Sequence, residues 1–403
     1  MGSGRVKNKG LASFSSALEN FEFAGPGRIV FGWDRLAEIG ALLGPDPKRV
    51  FLLGGASRRH VQRLAGYLED SGCEFIDHVI AREPTLTDMD LAADLARDFR
   101  AEWIIGLGGG SVLDAAKTLA VVLGNGSPLL EHLEIIGGGR PLRKPGLPCL
   151  AIPTTAGTGA EATRNAVITS SQHRLKVSLR HPFLLPSIAL IDPELSADMP
   201  PLLTATTGMD ALTQLIEAAL SLKANPLTEA LCFRGIALAA SCLPRAFGEP
   251  SNREAREGMA LASLYGGMAL ANAGLGAVHG LAGVVGGRTG APHGAICAAL
   301  LAPVMRVNLG ELRRTSQNPD ALARFEKIAC LIKKDESASA EDGIARIEAL
   351  TREMGVAKLV GTRIESTELD EMAEQSLRAS SMKGNPVTLK KELLKGLLAS
   401  LGE

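Results

Sequence analysis

A mostly parallel, doubly wound α/β half followed by an all-helical half is the fold class that this sequence predicts, and three observations predict it. Up to about residue 195, short apolar runs of strand type alternate with helical patterns. One such run, 103–107, breaks abruptly into Gly108-Gly109-Gly110-Ser111 and resumes as a helical pattern over 112–123. Beyond residue 195 the chain is rich in Ala and Leu at helical periods, punctuated by Asn225-Pro226, Gly248-Glu249-Pro250 and Gly384-Asn385-Pro386.

Taken in order, residues 28–31 and 50–53 read as strands, and 57–70 as a helix opened by a Ser57 cap. A short strand follows at 74–78, a helix at 87–100 and the strand 103–107 ahead of the glycine turn. Such βαβ alternation implies a parallel sheet whose ligand crevice lies beyond the carboxyl ends of its strands. Residues 149–153 and 187–191 are further strands, and 166–169 with 175–179 form a hairpin through Ser170-Ser171-Gln172-His173. The expected organisation is a loose leader over residues 1–20, a nucleotide-binding α/β domain over 21–195 and a helical domain over 196–403.

Composition excludes several function classes. A 403-residue chain buries a large core and divides into two domains. With 22% charged residues and a net charge of −1, it has no basic excess for a nucleic acid. Aromatic residues, at 4%, are too few for base stacking. The six cysteines are scattered without CxxC pairs, which reads as buried reduced thiols in a cytoplasmic enzyme. The N-terminus lacks the apolar stretch of a signal peptide, and no uninterrupted apolar run reaches the roughly 20 residues of a membrane span. A membrane partner is therefore not expected.

Strand, glycine turn and helix start together make an anion site. Glycines let the backbone approach a phosphate, and the first helical turn offers unpaired N–H groups and a positive dipole end. Asp114 and Lys117 on the same helical stretch favour a cofactor loop over a plain turn. A second glycine-rich element, PTTAGTGAEAT over 153–163, also follows a strand. The hydroxyls of Thr154, Thr155 and Thr158 suit a phosphate or an amide. The helical half adds Asp210, in GMDAL, and two glycine-flanked histidines, His279 and His293. A carboxylate with two imidazoles suffices for Zn(II) or Fe(II) if the three converge.

In order and separation, GGGSVLDAAK, PTTAGTGAEAT, GMDAL and the His279/His293 pair resemble the motifs of the iron-containing (group III) alcohol dehydrogenases, over about residues 22 to 400. The resemblance implies a dehydroquinate synthase-like architecture with the site in the cleft between the two halves. It implies NAD(P)(H)-dependent interconversion of a small alcohol and its aldehyde or ketone, with a carbonyl reductase the expected direction. Gly108, Gly109, Gly110 and Ser111 would hold the pyrophosphate, and Thr154, Thr155 and Lys176 would line the nicotinamide side. Asp210, His279 and His293 fall on catalytic metal-ligand positions, for Fe(II) or Zn(II). A homodimer is expected.

Two departures from the family pattern stand out. Gln214 occupies the position of a fourth, histidine ligand and offers only a weak amide oxygen; Gly283 replaces a second histidine one turn after His279. They leave open a metal-free enzyme similar to the maleylacetate reductases, while the Asp/His/His triad still resembles the zinc site of the glycerol dehydrogenases. More distant alternatives are a lyase of the dehydroquinate synthase type and a non-catalytic nucleotide-binding protein. Family members that prefer NAD(H) carry an acidic residue near Gly55. Here Gly55 leaves space for a 2′-phosphate and Arg58 or Arg59 stands ready to pair with it, which favours NADP(H) with NAD(H) tolerated. The substrate pocket is expected to draw on Tyr265, Met268 and Asn272, with Arg164 a candidate carboxylate clamp.

Overall fold

A computed structural model describes residues 20–46, 48–133, 136–170, 172, 175–356 and 364–402. The expected leader, apart from Asn20, lies outside the described residues, as do Ser171 and His173 of the expected hairpin turn.

Among the described residues the strands are β1 (Arg28–Phe31), β2 (Arg49–Gly54), β3 (Glu74–Val79), β4 (Trp103–Gly108), β5 (Cys149–Pro153), β6 (Asn165–Ser170), β7 (Leu175–Arg180) and β8 (Ile188–Ile191). Six of them form one sheet in the order β1-β8-β5-β4-β2-β3, and every pairing in it is parallel. β6 and β7 pair antiparallel as the hairpin expected from the sequence. Helices α1 (Ile39–Leu43) and α2 (Arg58–Asp70) cover one face of the large sheet, α3 (Leu86–Asp98) and α4 (Gly110–Asn125) the other. The side-chain alternation of β2 explains how one strand serves both cores: Val50 and Leu52 enter the first, Phe51 and Leu53 the second.

Local details differ from the sequence reading in two places. Ser57 sits at the N-cap of α2 in extended conformation, but its side chain makes no capping hydrogen bond. Helix α3 begins earlier than expected because Thr85 and Asp88 form a reciprocal capping box, and it ends before Arg100, whose φ of 55° is left-handed.

From Pro201 the described chain is helical. Its helices are α5 (Pro201–Leu220), α6 (Pro226–Gly248), α7 (Arg253–Ala273), α8 (Ala277–Thr289), α9 (His293–Thr315), α10 (Pro319–Lys333), α11 (Ala340–Glu353), α12 (Leu369–Arg378) and α13 (Lys391–Ala399). α5 is the central rod, buried almost throughout from Thr204 to Leu220 and packed by α6, α7 and α9. By length and mean composition α6 and α9 are each apolar enough to cross a membrane, although Glu229 and Arg234 in α6 and Arg306 in α9 interrupt their apolar runs. In the fold most of α9 is buried in the helical half against α5, α8 and α11, whereas α6 packs on α5, α7 and α10 with less of its length buried.

Candidate active site

The strand order reverses between β2 and β4, which places the crevice of a doubly wound sheet at their carboxyl ends. There the Gly55 amide donates to Leu107 O at 3.3 Å, so the turns after β2 and β4 lie side by side. Gly109 is the N-cap of α4, and Gly110 and Ser111 form its first turn, partly accessible. The Thr/Gly loop folds against this turn. Thr154 N–H donates to Gly108 O at 3.0 Å, and Thr155 and Thr158 stand next to Gly109 and Gly110 respectively. The two loops singled out in the sequence are thus one surface, with amides and hydroxyls gathered at the positive end of α4.

The same loop joins the two halves of the molecule. Gly159 has φ +60°, and a Cβ there would lie 2.5 Å from Ser263 O and 2.6 Å from Gly267 on α7, so glycine is required on both counts. Gly157 O accepts from Gln214 Nε2 at 3.4 Å, and Gln214 reaches Asp210 Oδ2 at 3.4 Å. A short chain of contacts therefore runs from the glycine turn through the Thr/Gly loop to Asp210.

Asp210, Gln214 and Glu217 follow one another at i, i+4 and i+7 along α5, a buried polar stripe on an apolar helix. α8 starts over this stripe after a bend of 101° from α7. The Glu217 carboxylate accepts from Val278 N at 2.6 Å and from His279 Nδ1 at 2.6 Å. That second bond turns His279 Nε2 toward Asp210 Oδ1, 3.3 Å away. His293 opens α9, and the start of α9 presses so closely on α5 that a Cβ on Gly294 would lie 2.2 Å from Thr206 O. This brings His293 Nε2 to 3.8 Å from Asp210 Oδ1. Cys297, one turn along α9, completes a group of four whose donor atoms all lie within 4.8 Å of one another.

Asp210, His279 and His293 thus converge as the sequence required. Asp210 is 4% exposed at its side chain, yet its Oδ1 makes no hydrogen bond to protein. A buried, orphaned carboxylate oxygen facing two imidazole nitrogens is the donor set of a divalent cation, and these residues fit Zn(II) or Fe(II). Gln214 is buried in the same cluster, and its Oε1 has no hydrogen-bond partner among the described residues. Its amide nitrogen lies between two acceptors, Asp210 Oδ2 and Gly157 O, so the side chain braces the carboxylate.

Charge in the cluster is strongly coupled. Burial pushes the Asp210 carboxyl up, but the facing His279 and His293 rings outweigh it and hold it below the ordinary range. Burial pulls His279 down, while the Cys297 sulfur, Asp210 and Glu217 raise it well above 6.5. The Cys297 sulfur, with help from Asp210, raises His293 to about 9 against burial. A raised folded-state value stabilises the protein below the unfolded value near 6.5 and is lost as pH rises through about 9. In chelator-stripped protein, the Tm advantage of wild type over His293→Ala is therefore expected to shrink between pH 6.5 and 9.5. An advantage that grows over that range would contradict the assignment.

Several candidates are engaged otherwise than expected. The Asp114 carboxylate accepts from Val167 N at 2.9 Å and pairs with Lys117 at 3.0 Å, which ties α4 to the hairpin and occupies the groups expected on the cofactor. Lys117 is buried and donates to Ala160 O, Thr163 Oγ1 and Asn165 O, fixing the far end of the Thr/Gly loop. Lys176, on β7, pairs with Glu83 at 2.7 Å. Arg58 pairs with Asp77 at 2.6 Å and Arg59 with Asp198, while Gly55 keeps open space. Asn272 clamps Ala24 through both backbone groups at 2.7 and 2.8 Å. Tyr265 and Met268 pack beside it against Ala162 and Ile191 at the seam between the halves, and Arg164 is exposed. A Cβ on Gly283 would meet nothing within 4 Å, so the face of α8 one turn past His279 is open.

Sequence reasoning missed four residues. Glu217 had a visible signal, being the third polar position of the α5 stripe. Cys297 had one in its spacing from His293. Asn385 was read only as part of a helix breaker; it is buried, accepts from Ala277 N at 3.1 Å and exchanges hydrogen bonds with Asn308, fixing the start of α8. Glu161 lines a small cleft with Thr155, Asp192 and Ser263, and burial pushes its carboxyl up to about 7. Glu217→Gln is expected to lower metal affinity about 10- to 100-fold, read by competition with a chromogenic chelator, because the His279 ring loses its anchor. Unchanged affinity would show that Glu217 only fills space.

Comparison with known proteins decides the family. Residues 26–193 match the description "Iron-containing alcohol dehydrogenase" and residues 204–401 its C-terminal part, "Fe-containing alcohol dehydrogenase family, C-terminal". The chain belongs to the iron-containing alcohol dehydrogenase family. Among curated members, a 1,3-propanediol dehydrogenase of Klebsiella pneumoniae is 35% identical over 93% of this chain and 95% of its own. A solved 1,3-propanediol oxidoreductase superposes with a TM-score of 0.87 at 31% identity, covering 95% of this chain and 100% of that one. A sulfoacetaldehyde reductase from Bifidobacterium kashiwanohense, solved in complex with NAD+, gives a TM-score of 0.83 at 26% identity, covering 95% and 99%. The family's two-part architecture is the one described above.

Proposed function

We propose that the protein is an NAD(P)(H)-dependent oxidoreductase that interconverts a small alcohol and its aldehyde or ketone, working chiefly as a carbonyl reductase. The observation that carries this reading is the contact chain from Gly109 and Gly110 through Thr155, Thr158 and Gly157 to Gln214 and Asp210. It joins a phosphate-type glycine turn to a metal-type cluster in one cleft, as a hydride transfer between a nicotinamide and a polarised carbonyl needs.

The amides of Gly110 and Ser111 and the α4 dipole would bind the pyrophosphate, and Thr154, Thr155 and Thr158 would hold the nicotinamide side. The space at Gly55 supports NADP(H), with NAD(H) also accepted. A divalent metal at Asp210, His279 and His293 would supply Lewis-acid stabilisation of the carbonyl oxygen. Glu217 and Gln214 orient the residues that hold it. With no imidazole at 283, solvent at the open face of α8 would bring the proton to the developing alkoxide. The free cysteines support a reducing, cytoplasmic setting. Among the described residues the sheet ends at β1, where Ile29 is 39% exposed, which supports a homodimer.

The test is steady-state oxidation of NADPH and NADH at 340 nm with a panel of short aldehydes, ketones and hydroxyaldehydes. Turnover with at least one member, faster with NADPH, is expected. No oxidation of either cofactor across the panel would overturn the reading.

A further inference from the structure

We propose that Cys297 is the fourth ligand of the metal centre, in place of the amide of Gln214, and that the resulting Asp/His/His/Cys set selects zinc over iron. The inference rests on the metal-dependent form of the function proposed above, and it concerns the residues rather than the rate.

Four of the six edges among the donor atoms match those of a tetrahedral site, and all six lie within 4.8 Å. With bonds of about 2.1 Å to nitrogen and oxygen and about 2.3 Å to sulfur, tetrahedral zinc has N–O edges of about 3.4 Å and N–S edges of about 3.6 Å. The distances here are 3.3 Å from His279 Nε2 to Asp210 Oδ1 and 3.8 Å from His293 Nε2 to the same oxygen. Cys297 Sγ lies 3.6 Å from His293 Nε2 and 3.9 Å from His279 Nε2. The sulfur therefore stands at a fourth corner that closes on both imidazoles. The orphaned, buried Oδ1 of Asp210 points independently to a ligand in the same place.

The helix explains why this residue can reach. His293 and Cys297 are four apart on α9, so both side chains leave the same face one turn apart. Gln214 is four residues from Asp210 and also shares its face, but its amide nitrogen is turned toward the Asp210 carboxylate. The chain has exchanged an imidazole on α5 for a sulfur on α9. A metal-bound thiol is deprotonated outright, so the set becomes carboxylate, two neutral imidazoles and thiolate. Thiolate with imidazole suits zinc, whereas Fe(II) favours two imidazoles and a carboxylate with open positions.

The test is zinc K-edge absorption fine structure on full-length protein, stripped with chelator and reloaded with one equivalent of Zn(II), beside Cys297→Ser. One sulfur scatterer at about 2.3 Å with the rest nitrogen or oxygen near 2.0–2.1 Å is expected in wild type, and only nitrogen or oxygen in the variant. Reloading with Co(II) gives a second readout, a near-ultraviolet sulfur-to-cobalt charge-transfer band lost in Cys297→Ser. A wild-type spectrum without sulfur overturns the proposal whether or not the variant folds. Failure of wild type to take up stoichiometric zinc also overturns it. If NADPH oxidation by that metal-free protein persists, the oxidoreductase reading survives alone.

Discussion

Asp210→Asn is expected to lower kcat/KM for carbonyl reduction by about 10²- to 10⁴-fold, with stoichiometric metal lost and cofactor affinity unchanged within about twofold. Lewis-acid stabilisation of a developing oxyanion contributes several kcal/mol, and each 1.4 kcal/mol is about one power of ten. Asparagine keeps the shape of the side chain but removes the charge that faces His279 and His293 from inside the core. It also breaks the only link in the cluster that touches both imidazoles and Gln214. Because Asp210 lies on α5 and the glycine turn on α4, cofactor binding is an internal control, read by NADPH fluorescence. Metal content and rate falling together with cofactor affinity intact would locate the fault in the cluster. A full rate in metal-free Asp210→Asn would mean that the enzyme works as the metal-free alternative.

Gly109→Asp is expected to weaken NADPH binding by about three orders of magnitude while leaving the fold intact. Gly109 has φ −75° and ψ −176°, extended backbone that any residue adopts, and a Cβ there would sit 3.6 Å from Thr155, an ordinary contact. The substitution therefore adds charge without strain. A carboxylate about 4 Å from a phosphate charge costs about 4 kcal/mol at an effective dielectric of 20, close to a factor of a thousand. Gly109→Ala serves as the steric control and should bind within a few fold of wild type. Equal loss in both variants would mean that the turn binds by shape alone, or that the pyrophosphate lies elsewhere.

The parts of this account that were legible in the sequence are those encoded by neighbours along the chain. The parallel, doubly wound sheet was readable from alternating periods, and the glycine turn from a strand that breaks into a helix at Gly108. Asp210, His279 and His293 were visible because charged or imidazole side chains amid Ala, Leu and Gly are chemically conspicuous. Cys297 was not, because a cysteine in an apolar helix counts as a small hydrophobe until a helix packing brings His279 beside it. Glu217 was hidden for a related reason: its purpose appears only when the start of α8 lies over it. Asp114, Arg58 and Arg59 were read as cofactor contacts because charges near a glycine loop suit phosphates, and Lys176 because the family resemblance implied it. Their ion pairs and hydrogen bonds come from distant segments that sequence spacing does not reveal.

The membrane-length apolarity of α9 teaches the same lesson from the other side. A helix buried inside a large helical domain satisfies the composition of a membrane span, since both solvents for its side chains are apolar. Cys297 on α9 depends on that burial for its position.

The most direct test of the central claim, that one cleft carries out hydride transfer, follows the hydride itself. NADPH deuterated at C4 is incubated with the enzyme and the best carbonyl of the panel, and the alcohol product is analysed by mass spectrometry. The account predicts one deuterium on the carbinol carbon, delivered from one face of the nicotinamide only. Tight cofactor binding with no deuterium in any product, or cofactor regenerated with no net consumption, would contradict it.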